Sequence, residues 1–265
     1  LKVLKRDLGF DVETINIIPL GDIHLGAEEC DEEEVMRTIN YVKDNPNTYV
    51  ILLGDLVENA TRNSVGDVFG QIATPQNQLN HLVRILEPIR DKILVSCNGN
   101  HEQRTYKETG IDVGEELMHR LGLSRFYSRD GGYLFLSFGK NKGRENKRHT
   151  FRIYFTHGHG GGGSTGTSVN NNENMKNIVD ADIYMSGHTH KPASIPATYF
   201  SGDARAKSIQ QMNRLFVTCT GYLKYGGYGQ RARYTPTPIT QEIINLSIVR
   251  KGESEIKLAK QIGVI

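Results

Sequence analysis

The chain has 265 residues, 37% of them hydrophobic and 23% charged, with a formal net charge of +2. That composition fits a globular protein and excludes a disordered or fibrous one, and no apolar run approaches the ~20 residues that cross a bilayer. Three cysteines (Cys30, Cys97, Cys219) without CxxC spacing argue against a disulfide scaffold or a thiolate zinc site; residues 1–10 lack the apolar core of a signal peptide, so the expected compartment is the cytoplasm.

In chain order, the apolar, β-branched run at 15–20 predicts a strand. Asp31 then caps a helix on which Val35, Ile39 and Val42 recur at helical spacing, with acidic residues in its first turn. A strand at 49–53 follows, then a helical stripe of Leu79, Leu82, Val83 and Leu86, then a strand at 93–97 and a helix over 113–121 closed by Gly122. Strands at 133–138 and 151–156 flank a basic turn, and two more run over 182–186 and 215–219. Ile244, Leu246 and Ile248 alternate before a Lys-Gly turn and a closing strand. The first half therefore alternates strand and helix, the pattern of a parallel sheet, whereas the second half forms antiparallel hairpins. No linker separates the halves. We expect one α/β domain over 1–265, built of two stacked mixed β-sheets flanked by helices. Gly, Ser and Thr dominate 158–168, ahead of Asn170, Asn171 and Asn172, and predict either a flexible linker or a mobile substrate loop.

Five of these strands end in residues that bind metals. They are followed by Gly21-Asp22-Ile23-His24, Gly54-Asp55, Gly99-Asn100-His101-Glu102, His157-Gly158-His159 and Gly187-His188-Thr189-His190. The carboxyl ends of strands form the ligand-binding edge of an α/β sheet, so the five runs should converge. Six of the nine histidines lie in them; His81, His119 and His149 fall on helix or turn positions and read as ordinary solvated side chains. Oxygen and imidazole donors without thiolate suit manganese, iron, zinc, cobalt or magnesium. The set is too large for one ion and about right for two sharing a carboxylate.

The ordered set Asp22-x-His24, Gly54-Asp55, Gly99-Asn100-His101-Glu102, His157-Gly158 and Gly187-His188-x-His190 resembles the calcineurin-like metallophosphoesterases. The resemblance implies a four-layer α/β/β/α sandwich around two divalent ions, manganese first. It implies that Asp22, His24 and His190 hold one ion, that Asn100, His157 and His188 hold the other, and that Asp55 bridges them. His101 would lie beside the metals as a hydrogen-bond donor or acid, with a metal-bridging hydroxide attacking phosphorus; His159 has no fixed role in the family, and we expect it to make a supporting contact. Protein serine/threonine phosphatases of this superfamily extend the second motif to an arginine that clamps phosphate. Here the stretch reads Gly54-Asp55-Leu56-Val57-Glu58-Asn59-Ala60, and Arg62 and Arg104 are the candidates to replace that clamp. The chain is more similar to the SbcD/Mre11-like nuclease and phosphodiesterase branch.

The expected activity is thus a phosphodiesterase or nuclease acting on DNA or RNA. A phosphomonoesterase for nucleotides or other small phosphates is the alternative, and an inactive metal-stabilised binding module is a third. Two features bear on nucleic acid: the basic turn with Lys140, Lys142, Arg144, Lys147 and Arg148, and Arg231 and Arg233 beside a Tyr/Gly segment at 222–228.

Overall fold

The computed structural model describes residues 1–62, 64, 68–140, 148–160, 164–205, 207–231, 233–250 and 253–263. Lys142, Arg144, Lys147, the Lys-Gly turn at 251–252 and residues 161–163 of the Gly-rich segment lie outside them. The elements are β1 (Lys2–Asp7), β2 (Thr14–Leu20), α1 (Glu32–Asp44), β3 (Thr48–Leu52), α2 (Pro75–Leu86), β4 (Ile93–Ser96), α3 (Asn100–Thr109) and α4 (Val113–Arg120). There follow β5 (Gly132–Phe138), β6 (His149–Phe155), α5 (Thr165–Asn174), β7 (Ile183–Ser186), β8 (Ala193–Asp203), β9 (Ser208–Thr218), α6 (Gly227–Arg231), β10 (Thr240–Arg250) and β11 (Glu253–Gly263).

Two mixed sheets result. One has the order β11-β10-β2-β3-β4, with β2, β3 and β4 parallel and β10 antiparallel to β2. The other runs β1-β5-β6-β7-β9-β8, parallel within β6-β7-β9 and antiparallel at β5-β6 and β8-β9. Alternation along the strands decides how the sheets meet. Ile153 and Phe155 of β6, Ile183 and Met185 of β7 and Val217 of β9 join Ile15, Ile17, Val50 and Ile93 of the first sheet in one core. The intervening Tyr154, Tyr184 and Phe216 turn outward into a second cluster with Met175, just past the end of α5. The sheets are therefore stacked and flanked by helices, as the sequence led us to expect. Among the described residues no helix is long and apolar enough to cross a membrane, and all three cysteines are free.

Five elements escaped the sequence pattern, the short α6 among them. In β1 and β8 few side chains are buried, so neither carries a clear apolar alternation. The polar helix α3 is set by its ends: Glu102 returns to the backbone N–H of the capping Gly99, and Gly110 closes it at φ 77°. The Gly/Ser/Thr segment is a correction. From Ser164 onward it is a helix cap followed by α5, with Ser168 and Asn172 buried; Ser168 Oγ meets Thr189 Oγ1 at 2.8 Å and Asn172 Nδ2 donates to Thr218 Oγ1 at 2.9 Å. His149 also departs from expectation, lying in β6, half-buried, with its ring edge-on to Phe151.

Candidate metal centre

The loops after β2, β3, β4, β6 and β7 bring Asp22, His24, Asp55, Asn100, His101, His157, His188 and His190 together, so the five strand ends converge. Their backbone is unusual. Asp22, His24, Asp55, His188 and His190 have φ of 51°, 52°, 49°, 72° and 54°, a region that costs a non-glycine residue ~1–3 kcal/mol. Cross-loop bonds hold these conformations in place. Asp22 N donates to Gly54 O at 3.0 Å, His24 N to Asp55 O at 3.0 Å and His188 N to Asp22 Oδ1 at 3.1 Å. Two glycines give the loops room: a Cβ on Gly54, itself at φ 81°, would lie 2.1 Å from Gly99 N, and one on Gly221 would lie 2.5 Å from His190 Nδ1.

Two donor sets are visible. In the first, His157 Nε2 is 3.1 Å from Asn100 Oδ1, 3.2 Å from His188 Nδ1 and 3.2 Å from Asp55 Oδ2, and His188 Nδ1 is 2.8 Å from Asn100 Oδ1. His157 donates through Nδ1 to the Leu53 carbonyl at 2.7 Å, which fixes Nε2 as the nitrogen facing the cluster. In the second, His24 Nε2 is 3.1 Å from His190 Nε2 and 4.0 Å from Asp55 Oδ2, and His190 Nε2 is 3.7 Å from Asp22 Oδ1. Asp55 Oδ2 is the atom both sets approach. Lone pairs crowded in this way repel one another unless protons or a cation lie between them, and a mixed carboxylate, amide and imidazole set is the donor chemistry of a divalent first-row ion or Mg²⁺. The residues present therefore fit the divalent metals of the family implied by the sequence. Asp22, His24 and His190 form one cluster able to hold an ion, and Asp55, His157 and His188 form another.

The electrostatics agree. Burial pushes Asp22 up to about 6 against the opposing charge of His157, and Asp55 adds to the rise. Burial also opposes charge on Asp55, yet His157 and His101 outweigh it and hold that carboxyl well below its ordinary value. Burial disfavours a proton on His157, but the charge and hydrogen bond of Asp55, with Asp22, lift it to about 10. Burial and the charge of His157 lower His188; burial and the charge of His24 lower His190. The metal-free chain thus keeps a proton on His157 among the carboxylates, and metal entry must displace it.

Three further residues hold the site: Glu58 and Glu102, which had no role assigned from sequence, and Arg104, a candidate there for the phosphate clamp. Glu58 lies between two histidines, its Oε2 3.2 Å from His24 Nδ1 and 3.3 Å from His101 Nδ1. Burial alone would raise its pKa, but the bonds from His101 and His24 hold it far below the usual range. Glu102 is 2% exposed and accepts four backbone N–H groups, from Asp55, Gly99, Leu56 and Val57. Arg104 Nη2 donates to His101 Nε2 at 2.9 Å, whereas Arg62 is exposed. The signal for Glu58 and Arg104 was spacing: each sits three residues beyond a site residue, Asp55 and His101.

Other residues stand apart. His159 is exposed two residues beyond His157, and His119 is exposed on α4. His81 bonds Glu32 at 2.6 Å rather than being merely solvated. Arg148 pairs with Asp7 at 2.6 Å and lies over Phe10, at the end of β6 opposite His157. Seven strand residues separate that end from the centre by roughly 20 Å at ~3.3 Å per residue, so Arg148 lies far from the candidate ligands. The Tyr/Gly segment ahead of Arg231 and Arg233 reaches the centre at its start: Tyr222 N donates to Asp22 O at 2.9 Å, and Tyr225 is exposed three residues on.

Comparison with known proteins adds a family. No curated protein matches the chain by sequence. Among solved structures, the chain is similar to a conserved uncharacterized protein from Streptococcus pneumoniae described as a predicted phosphoesterase, at 14% identity and a TM-score of 0.37, covering 92% of this chain and 97% of that one. It is similar to wild-type Vps29 complexed with zinc from Entamoeba histolytica (12% identity, TM-score 0.37, coverage 94% and 99%) and to a metallophosphoesterase from Sphaerobacter thermophilus (12%, 0.35, 86% and 83%). The family model for calcineurin-like phosphoesterases matches residues 15–192, which include every candidate ligand from Asp22 to His190. The chain belongs to the calcineurin-like phosphoesterase family.

Proposed function

We propose that this protein is a phosphoester hydrolase working with two divalent ions, manganese first, and that its substrates are phosphodiesters, nucleic-acid backbones foremost. The observation that carries the proposal is the approach of both donor sets to one carboxylate oxygen, Asp55 Oδ2. Asp22, His24 and His190 with Asp55 would hold one ion, and Asn100, His157 and His188 with Asp55 the other. When bound, such ions supply Lewis-acid stabilisation of phosphoryl oxygens and acidify water. The chain's own residues do the rest. Glu58 orients His24 through Nδ1, and the Glu58 carbonyl accepts from His101 Nδ1 at 2.7 Å. That bond directs His101 Nε2 toward the centre, 3.8 Å from Asp55 Oδ2, where, once it has exchanged the Arg104 N–H for a proton of its own, it can hydrogen-bond or protonate a departing oxygen. Exposed Tyr225, Arg231 and Arg233 follow in the chain the segment that Tyr222 ties to Asp22, and they support an extended anionic substrate running past the centre.

A metal-by-substrate matrix tests the proposal, comparing a phosphodiester, a phosphomonoester and single- and double-stranded DNA with each ion. Preference for the diester and DNA is expected, with binding that falls with salt at a log–log slope of roughly −0.7 per contacted phosphate on single strands. A preference for the monoester would make the enzyme a small-phosphate phosphatase, and bound metal without hydrolysis would leave a binding module.

For His101→Ala we expect unchanged metal content and turnover lower by roughly 10²–10⁴-fold on an alkyl ester, with a smaller loss for nitrophenolate, which leaves without a proton. Equal losses for both leaving groups would assign His101 an electrostatic role, and lost metal would make it a ligand.

A further inference from the structure

One cation at the centre has no part in the scheme above. Arg104 lies one turn beyond His101 on α3, so the two side chains share a face. Its Nη1 donates to the Glu58 carbonyl at 2.9 Å, and the Glu58 carboxylate is a longer 3.4 Å away. Its Nη2 donates to His101 Nε2 at 2.9 Å, and that nitrogen is 3.8 Å from Asp55 Oδ2, where the donor sets meet. A phosphoryl group seated between the two sets therefore has its oxygens within reach of the atom on which Arg104 spends an N–H.

The guanidinium is not locked in place. Glu58 shares its Oε2 between His24 and His101 and meets Arg104 through Oε1 alone, so no bidentate pair forms. The Arg104 side chain is 19% exposed, open to a ligand yet largely desolvated. An anionic phosphoryl oxygen is a better acceptor for a guanidinium N–H than an imidazole nitrogen, and the planar fork matches phosphate geometry. Charge points the same way. Glu58 adds a third carboxylate beside Asp22 and Asp55, and Arg104 offsets it, preserving the positive field that an anionic substrate needs.

We propose that Arg104 is the substrate-binding cation of the centre: the N–H it gives to His101 Nε2 in the free chain passes to a non-bridging phosphoryl oxygen when a phosphate ester or phosphate enters. This rests on the function proposed above for the nature of the ligand.

The test compares the parent, loaded with diamagnetic zinc or magnesium, with Arg104→Gln and Arg104→Lys. It combines titration with inorganic phosphate, hydrolysis of bis-nitrophenyl phosphate, metal content and nitrogen NMR of the His101 ring. Arg104→Gln is expected to weaken phosphate binding and raise KM by about tenfold or more, the loss of one charged hydrogen bond, with kcat changed less. Arg104→Lys should recover part of the loss. Phosphate should shift the His101 Nε2 resonance in the parent and not in Arg104→Gln. Unchanged phosphate affinity and KM would overturn the proposal, as would a fall in kcat at constant KM, which would make Arg104 a brace for His101. If Arg104→Gln loses its ions, Arg104→Lys decides, and parental phosphate affinity in that variant overturns the proposal. Phosphate binding is read without turnover. A parent that cleaves no ester but loses phosphate affinity on Arg104→Gln would therefore end the hydrolase reading and keep this one.

Discussion

Asp55→Asn is expected to abolish hydrolysis and to lower the occupancy of both ions together. Asp55 Oδ1 accepts the His101 backbone N–H at 2.8 Å, while Oδ2 is 3.2 Å from His157 Nε2 and 4.0 Å from His24 Nε2. Asparagine keeps the shape but has only one oxygen. Satisfying His101 N then turns an NH₂ group toward the donor sets, and the charge shared between them is gone. Losing an outer partner of a metal ligand already costs ~10–100-fold in affinity or activity, and a ligand common to two ions should cost more than that. Metal analysis and turnover of the purified variant check it, and two tightly held ions with normal activity would remove Asp55 from the shared role.

The metal-free protein offers an independent readout of the same substitution. His157 has a folded pKa raised from 6.5 to about 10, so its contribution to stability is complete below 6.5 and lost as pH rises toward 10. Asp55 is shifted the other way, so its contribution is present above 3.8 and lost on acidification. The stability gap between parent and Asp55→Asn in chelator should therefore be widest between these two ordinary values and close toward pH 10. A gap independent of pH would show that the pair is not coupled in the folded chain.

The candidate ligands were legible because metal chemistry restricts residue type and topology restricts position. Asp, Asn and His after successive strands have few other reasons to recur. The strain was not legible: nothing in the letters Asp22 or His188 announces a left-handed backbone, which follows from hydrogen bonds between loops far apart in sequence. Glu58 was hidden, and Arg104 was not separable from Arg62, for a related reason. A charged residue on a loop or a polar helix usually faces solvent, and only the docking of α3 against the loop after β3 brings both onto His101. The helix α5 was missed because a Ser/Thr/Asn-rich segment has little helical propensity of its own, and its helicity comes from the Ser164 cap and from burial of Ser168 and Asn172. Arg148 shows the opposite failure: its charge is plain in the sequence, but only the direction of β6 tells which end of the sheet it occupies.

Glu102→Gln should destabilise the protein more than any other single-atom exchange near the centre. The carboxylate is 2% exposed; its Oε2 accepts from Asp55 N at 2.9 Å and Gly99 N at 2.8 Å, and its Oε1 from Leu56 N at 2.7 Å and Val57 N at 3.3 Å. Glutamine must point an NH₂ group at one of these two pairs of N–H donors, leaving both without an acceptor. Each buried unsatisfied donor costs ~1–3 kcal/mol, so a loss of roughly 3 kcal/mol or more is expected, which lowers Tm by roughly 5–10 °C in a chain of this size. The released N–H groups belong to Asp55 and its neighbours, so metal affinity should fall alongside stability although Glu102 is not among the candidate ligands. Glu108, exposed on the same helix, provides the control: Glu108→Gln should leave both Tm and metal affinity near the parent. Melting and metal titration of the two variants separate a local brace from a general charge effect. If Glu102→Gln melts with the parent and binds metal equally well, the loop around Asp55 is held by its own left-handed turns and the cross-strand bonds to Asp22 and His24, not by α3.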